Sequence, residues 1–142
     1  MAQAKEKVAG TSHKAPLSHG VGRRKSAVAR VWLRRGKGAI LVNKKDIAEY
    51  FDTKIDISLA ETPMRIVPNS AHYDIQATVK GGGKTAQADA VKLAIARGLV
   101  ALDETIRPLL REHRLLTVDD RLKERKKYGR KAARRRFQFV KR

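Results

Sequence analysis

The octapeptide Thr78-Val-Lys-Gly-Gly-Gly-Lys-Thr85 ends in the Gly-Lys-Thr that closes a nucleotide-binding phosphate loop. A strand-like run precedes it and a helix-like run follows, which is the context such a loop requires. The full pattern needs a first glycine five residues before Gly83, where the chain carries Thr78. Magnesium would also need a second strand ending in aspartate, whereas Asp119 and Asp120 follow only "RLLTV". The glycines are therefore read as a sharp strand-to-helix turn that uses positive φ where needed. Amide groups at the start of the helix, beside Lys80 and Lys84, suit a phosphate that belongs to a polymer.

Other catalytic chemistry is thin. His13, His19, His72 and His113 have no metal-ligand spacing. Ser26 follows three basic residues, but no base or oxyanion hole accompanies it. The absence of cysteine excludes disulfides, cysteine-based zinc sites and thiol nucleophiles together. No enzyme is expected, and no cofactor.

Charge is the informative feature. The 142 residues hold 33 Lys/Arg against 14 Asp/Glu, a formal net charge of +19. That much self-repulsion points to a polyanionic partner, nucleic acid first and an anionic membrane surface second. No apolar run approaches a membrane span. The distribution sharpens the point: residues 121–142 contain 12 Lys/Arg and one acid, Glu124. With few apolar residues, this tail is expected to stay extended until phosphates neutralise it. Its interleaved Tyr128, Phe137 and Phe139 suit stacking on bases or packing on folded RNA.

These residues need a scaffold. In residues 24–35, Ala27, Ala29, Val31 and Leu33 share one face, with Val28, Arg30, Trp32 and Arg34 on the other. Gly36-Lys37-Gly38 predicts a turn into a second strand, 39–42, as an antiparallel hairpin. Asn43 predicts the N-cap of a short helix over "KKDIAEYF", and 57–66 a further helix weakened by Pro63. Residues 71–80 alternate most clearly, Tyr73, Ile75, Ala77 and Val79 facing one way. An alanine-rich helix follows the glycines, and Pro108 predicts the first turn of another. The sum is an α+β chain: a small, mostly antiparallel sheet packed on helices, with a long extended basic C-terminal tail. Its expected parts are a flexible N-terminal extension (1–19), a globular domain (20–120) and the tail (121–142).

The segments "GVGRRKSAVARVWL", "GKGAILVN", "ATVKGGGKTAQADA" and "LLTVDDRLKERKKYGRKAARRRFQFVKR" occur in an order that closely resembles the bacterial-type small-subunit ribosomal protein nine family, over about residues 20–142. The resemblance implies a cytoplasmic ribosomal component bound to rRNA of the small-subunit head beside other head proteins. It also implies a βαβ unit of the uncommon left-handed type. The rRNA-facing positions would be Arg23, Arg24, Lys25 and the tail series Arg125, Lys126, Lys127, Arg130, Lys131, Arg134, Arg135 and Arg136. Lys80 and Lys84 join them from the glycine turn. The terminal pair Lys141-Arg142 would touch the anticodon stem-loop of tRNA in the peptidyl site. Ala86 stands where the family usually has glycine, and Val140 where it usually has serine. A DNA-packaging protein would share the charge but would need a groove-reading helix or a minor-groove arm.

Overall fold

The computed structural model describes residues 15–68 and 70–140, so most of the N-terminal extension and the Lys141-Arg142 pair lie outside the described residues. β1 (Ser18–Arg24) and β2 (Ala27–Arg35) form an antiparallel hairpin around Lys25-Ser26, with Gly22 opposite Ala29. Lys25 takes the turn at φ +53°. β1 begins two residues inside the stretch counted with the extension, and alternation does not reveal it because its inward residues are Gly20 and Gly22. Glycine carries no hydrophobic signal, yet here it is required: a Cβ on Gly22 would stand 2.0 Å from the Ala90 carbonyl oxygen.

The expected second hairpin does not form. β3 (Ile40–Val42) pairs in parallel with β5 (Tyr73–Lys80), which inserts between it and β2. The cause is Asp74, whose Oδ1 accepts the amides of Lys37, Gly38 and Ala39 at 2.8, 3.1 and 3.1 Å. The Gly36–Gly38 turn is thus closed onto β5 instead of β2. β4 (Lys45–Asp46) completes one mixed five-stranded sheet in the order β1-β2-β5-β3-β4. Antiparallel pairing holds everywhere except at β3–β5.

The chain between these parallel strands runs through α1 (Ile47–Tyr50) and α2 (Lys54–Ile66), giving a βαβ unit. α1 is capped at Asp46, not at Asn43, because residues 45–46 go into β4. α2 starts at a Thr53 cap, whose hydroxyl oxygen accepts the Asp56 amide, and it continues through buried Pro63. The alanine-rich helix is α3 (Lys84–Leu102). It lies on the inward face of the sheet, against Ala27, Ala29, Val31, Leu33, Ile75, Ala77 and Val79, all buried as the alternation predicts. Alanines at 88, 90, 94 and 96 are buried along it, so backbone meets backbone and the β1–α3 contact is tight. Pro108 sits in the first turn of α4 (Arg107–Glu112), as expected.

From His113 to Val140 there is neither helix nor strand. The segment is not extended throughout. It turns at Gly129, φ +68°, and the Lys131 amide donates to the Arg135 carbonyl at 2.8 Å. Among the described residues no helix is long and apolar enough to cross a membrane.

Candidate nucleic-acid interface

The glycine turn is a braced corner. Gly81 and Gly82 have φ +73° and +66°, and a Cβ on Gly81 would stand 2.4 Å from the Ser26 carbonyl oxygen. Gln87 Nε2 donates to the Gly81 carbonyl at 3.0 Å, and its Oε1 accepts the Tyr50 hydroxyl at 2.8 Å. The Asn43 side chain bonds both backbone groups of Val79, prolonging the β3–β5 pairing by one residue. Lys84 donates to the Tyr50 carbonyl and lies 4.2 Å from the centre of its ring. This lysine therefore has internal partners, whereas Lys80 points to the opposite side of the sheet and is exposed.

Arg24 has a different surrounding from its two neighbours. Lying on the helix side of β1, it donates through Nη1 to the carbonyls of Asp119 (3.0 Å) and Arg121 (2.9 Å). Its Nη2 pairs with Asp119 at 3.2 Å and its Nε with Asp89 at 3.6 Å. The side chain is 15% exposed. Asp119 also accepts Arg121 Nη2 at 2.7 Å and the Arg121 amide at 3.0 Å. These Arg121 bonds, with the Arg24 charge behind them, hold the Asp119 carboxyl well below the usual carboxylate range. Arg97 adds a second tie, from Nη1 to the Val21 carbonyl at 2.9 Å and from Nη2 to the Leu116 carbonyl at 3.4 Å. Together they fasten the root of the C-terminal segment to β1 and α3, beside a cavity of about 420 Å³ that also meets Arg23, Lys92 and Arg114. Arg23 and Lys25 remain turned outward.

Beyond the root, Glu124 gathers Lys127 at 2.9 Å and Arg134 at 2.7 Å. The hydrogen bond from Arg134, then that from Lys127, lowers its carboxyl pKa. Arg125 and Arg130 donate to nearby carbonyls, of Lys126 and Arg134. Lys126, Lys131, Arg135 and Arg136 form no ion pair among the described residues. Tyr128 is fully exposed, and Phe137 and Phe139 are 65% and 89% exposed. Apolar rings left in water beside cations are the arrangement a nucleic acid would cover.

The structure sets two of the candidate residues, Arg23 and Lys80, in a surface that the sequence does not reveal as one. On the side of the sheet away from α3, Arg23 (β1), Val28 (β2) and Lys80 (β5) form one cross-strand row. Val21, Arg30 and Thr78 form the next, and His19, Trp32 and Gln76 a third. Among the described residues no helix packs on this side. The alternation already puts Arg30, Trp32 and Arg34 opposite the core. What it lacks is the neighbours, because β1 is not legible and β5 is not expected beside β2.

The described residues form an α+β body with one bare, cationic sheet face and a cationic segment leaving its edge, which defines a small, strongly basic protein. Comparison with known proteins then gives the family. The model described as ribosomal protein S9/S16 matches residues 22–142. A small ribosomal subunit protein uS9 from Chlorobaculum parvum is 55% identical over 122 residues, 86% of this chain and 95% of the relative. One of the same name from Chlorobaculum tepidum is 54% identical with the same coverage. A third, from Christiangramia forsetii, is 50% identical over 87% of this chain and 97% of its own length. The chain belongs to the ribosomal protein S9/S16 family, whose members are structural and not enzymes.

Proposed function

We propose that the chain is a structural constituent of the small ribosomal subunit in the cytoplasm, docked on rRNA of the subunit head among neighbouring head proteins. Its C-terminal segment reaches tRNA in the peptidyl site. The observation that carries this is the concentration of 12 Lys/Arg against a single acid in residues 121–142, with Tyr128 and Phe139 bare among them. In this reading Arg23, Lys25, Lys80 and the series from Arg125 to Arg136 meet rRNA phosphates. Lys84 serves at the corner of the glycine turn, where it also braces Tyr50. Arg24, already engaged by four oxygens, sets the point at which the segment leaves the body. Lys141 and Arg142 meet the anticodon stem-loop, and backbone contacts of this kind accept any tRNA.

If about ten phosphates are contacted, affinity for isolated small-subunit rRNA falls with log salt at a slope of roughly −7 to −9. Filter binding over a salt series measures it. Equal affinity for duplex DNA in competition would favour a packaging role instead. Deleting Lys141 and Arg142 is expected to leave subunit assembly intact while weakening tRNA retention in the peptidyl site. Failed assembly with unchanged tRNA affinity would overturn that division of labour.

A further inference from the structure

We propose that the open face of the sheet is itself an RNA-docking surface, with one unpaired base stacked on Trp32 and flanking phosphates held by Arg23, Arg30, Arg34 and Lys80. The proposal rests on the rRNA-binding reading above but concerns a surface separate from the C-terminal segment.

Four observations carry it. First, these four cations share one face: Arg23 and Lys80 flank Val28 across the strands, about 10 Å apart, and Arg30 and Arg34 lie about 13 Å apart along β2. Second, none of the four forms an ion pair or a side-chain hydrogen bond among the described residues, unlike Arg24, Lys92, Arg97 and Arg121. Arg34 Nε is also the single buried side-chain nitrogen or oxygen without a partner among them. Repulsion between unpaired cations on one face costs stability, which an anionic partner reverses. Third, the acid in their midst, Asp74, is occupied by the three turn amides, and Asp46 stands at the far edge, beyond Leu41.

Fourth, Trp32 sits on β2 midway between Arg30 and Arg34, with His19 tilted against it at 5.4 Å between ring centres. An aromatic between arginines on a bare sheet fits a base whose sugar-phosphate continues to both sides. A protein partner would sooner be met by an apolar patch, and here only Val21, Val28 and Leu41 offer one, each half-buried.

Trp32 is the only tryptophan in the sequence, so its emission reports from this face alone. The full chain is titrated with a small-subunit rRNA transcript while filter retention measures total binding and Trp32 fluorescence measures the face. The expected result is quenching in step with retention. Trp32→Ala should weaken binding about tenfold and Trp32→Phe much less, because a ring is retained. The exposed Arg30→Gln should shrink the salt slope by roughly 0.7 to 0.9 without unfolding anything. Retention with unchanged emission and an unaltered slope for Arg30→Gln would overturn the proposal, leaving the face to a protein neighbour while the rRNA reading stands. No retention at all would overturn both.

Discussion

At the β1–α3 seam a Cβ on Gly22 would stand 2.0 Å from the Ala90 carbonyl oxygen, while near the C-terminal end of the described residues the Phe139 ring is 89% exposed. The body is held by backbone contact and burial, with Arg24 and Arg97 beside α3 tied to fixed acceptors. The C-terminal segment has no such core and keeps shape through two charge clasps, Arg24 at its root and Glu124 in its middle. The difference teaches how one short chain can join a packed body to a segment held mainly by charge. Its rigid half presents a surface of fixed geometry. The C-terminal segment carries its cations on a backbone that few contacts constrain.

The comparison breaks hardest at the seam. Gly22→Ala places a methyl where backbone already stands, and neither Ala90 nor Ala94 can move without dragging α3. A loss of about 3 kcal/mol or more is expected in thermal or denaturant unfolding. Removing residues 122–142 should change the same measurement by under about 0.5 kcal/mol. If truncation cost as much as the seam mutation, the two halves would not be held by separate means.

Arg24→Ala probes the joint. It removes two carbonyl bonds and two ion pairs from a side chain 15% exposed, but leaves Asp89 with Lys92 and Asp119 with Arg121. The expected cost is about 1 to 2 kcal/mol. Hydrogen exchange at the Arg121 amide, which donates to Asp119 Oδ1, should quicken while α3 amides stay protected. Uniform loss of protection would make Arg24 a core residue instead of a hinge pin.

Much of the body was legible where side chains alternate or recur at helical period. Of the four residues read as sharing one face, Ile75, Ala77 and Val79 are buried while Tyr73 at the start of the strand is half-buried; the α3 and α4 helices lie where the pattern puts them. What escaped was set by backbone and by distance. β1 hides behind glycines, and the partner of β3 was decided by Asp74, which lies 35 to 37 residues from the amides it binds. The candidate site divides the same way. Charge density needs no structure to be seen. That Arg24 is internally engaged and Arg23 is not depends on Asp119, 95 residues away, and on strand facing. Arg30, Trp32 and Arg34 were on the right face in the pattern, but only a strand on either side makes that face a surface.

The faintest test concerns the middle clasp. Glu124 is the one acid of the segment and is pulled below its ordinary value of 4.5, first by the Arg134 bond and then by the Lys127 bond. A group with a depressed folded-state pKa contributes fully above the unfolded value and loses its contribution as pH falls through the folded one. The clasp should therefore be complete at neutral pH, persist near 4.5 and open only in more acid solution. Its ends are exposed, so salt should open it as well. Glu124→Gln should give the open state at neutral pH. Amide shifts of Lys131, whose N–H meets the Arg135 carbonyl inside the loop, report the change. If acid and Glu124→Gln move those shifts alike while α3 amides stay still, the segment is shaped by charge alone. If the loop survives both, the turn at Gly129 is held by backbone, and the contrast with the body is one of degree.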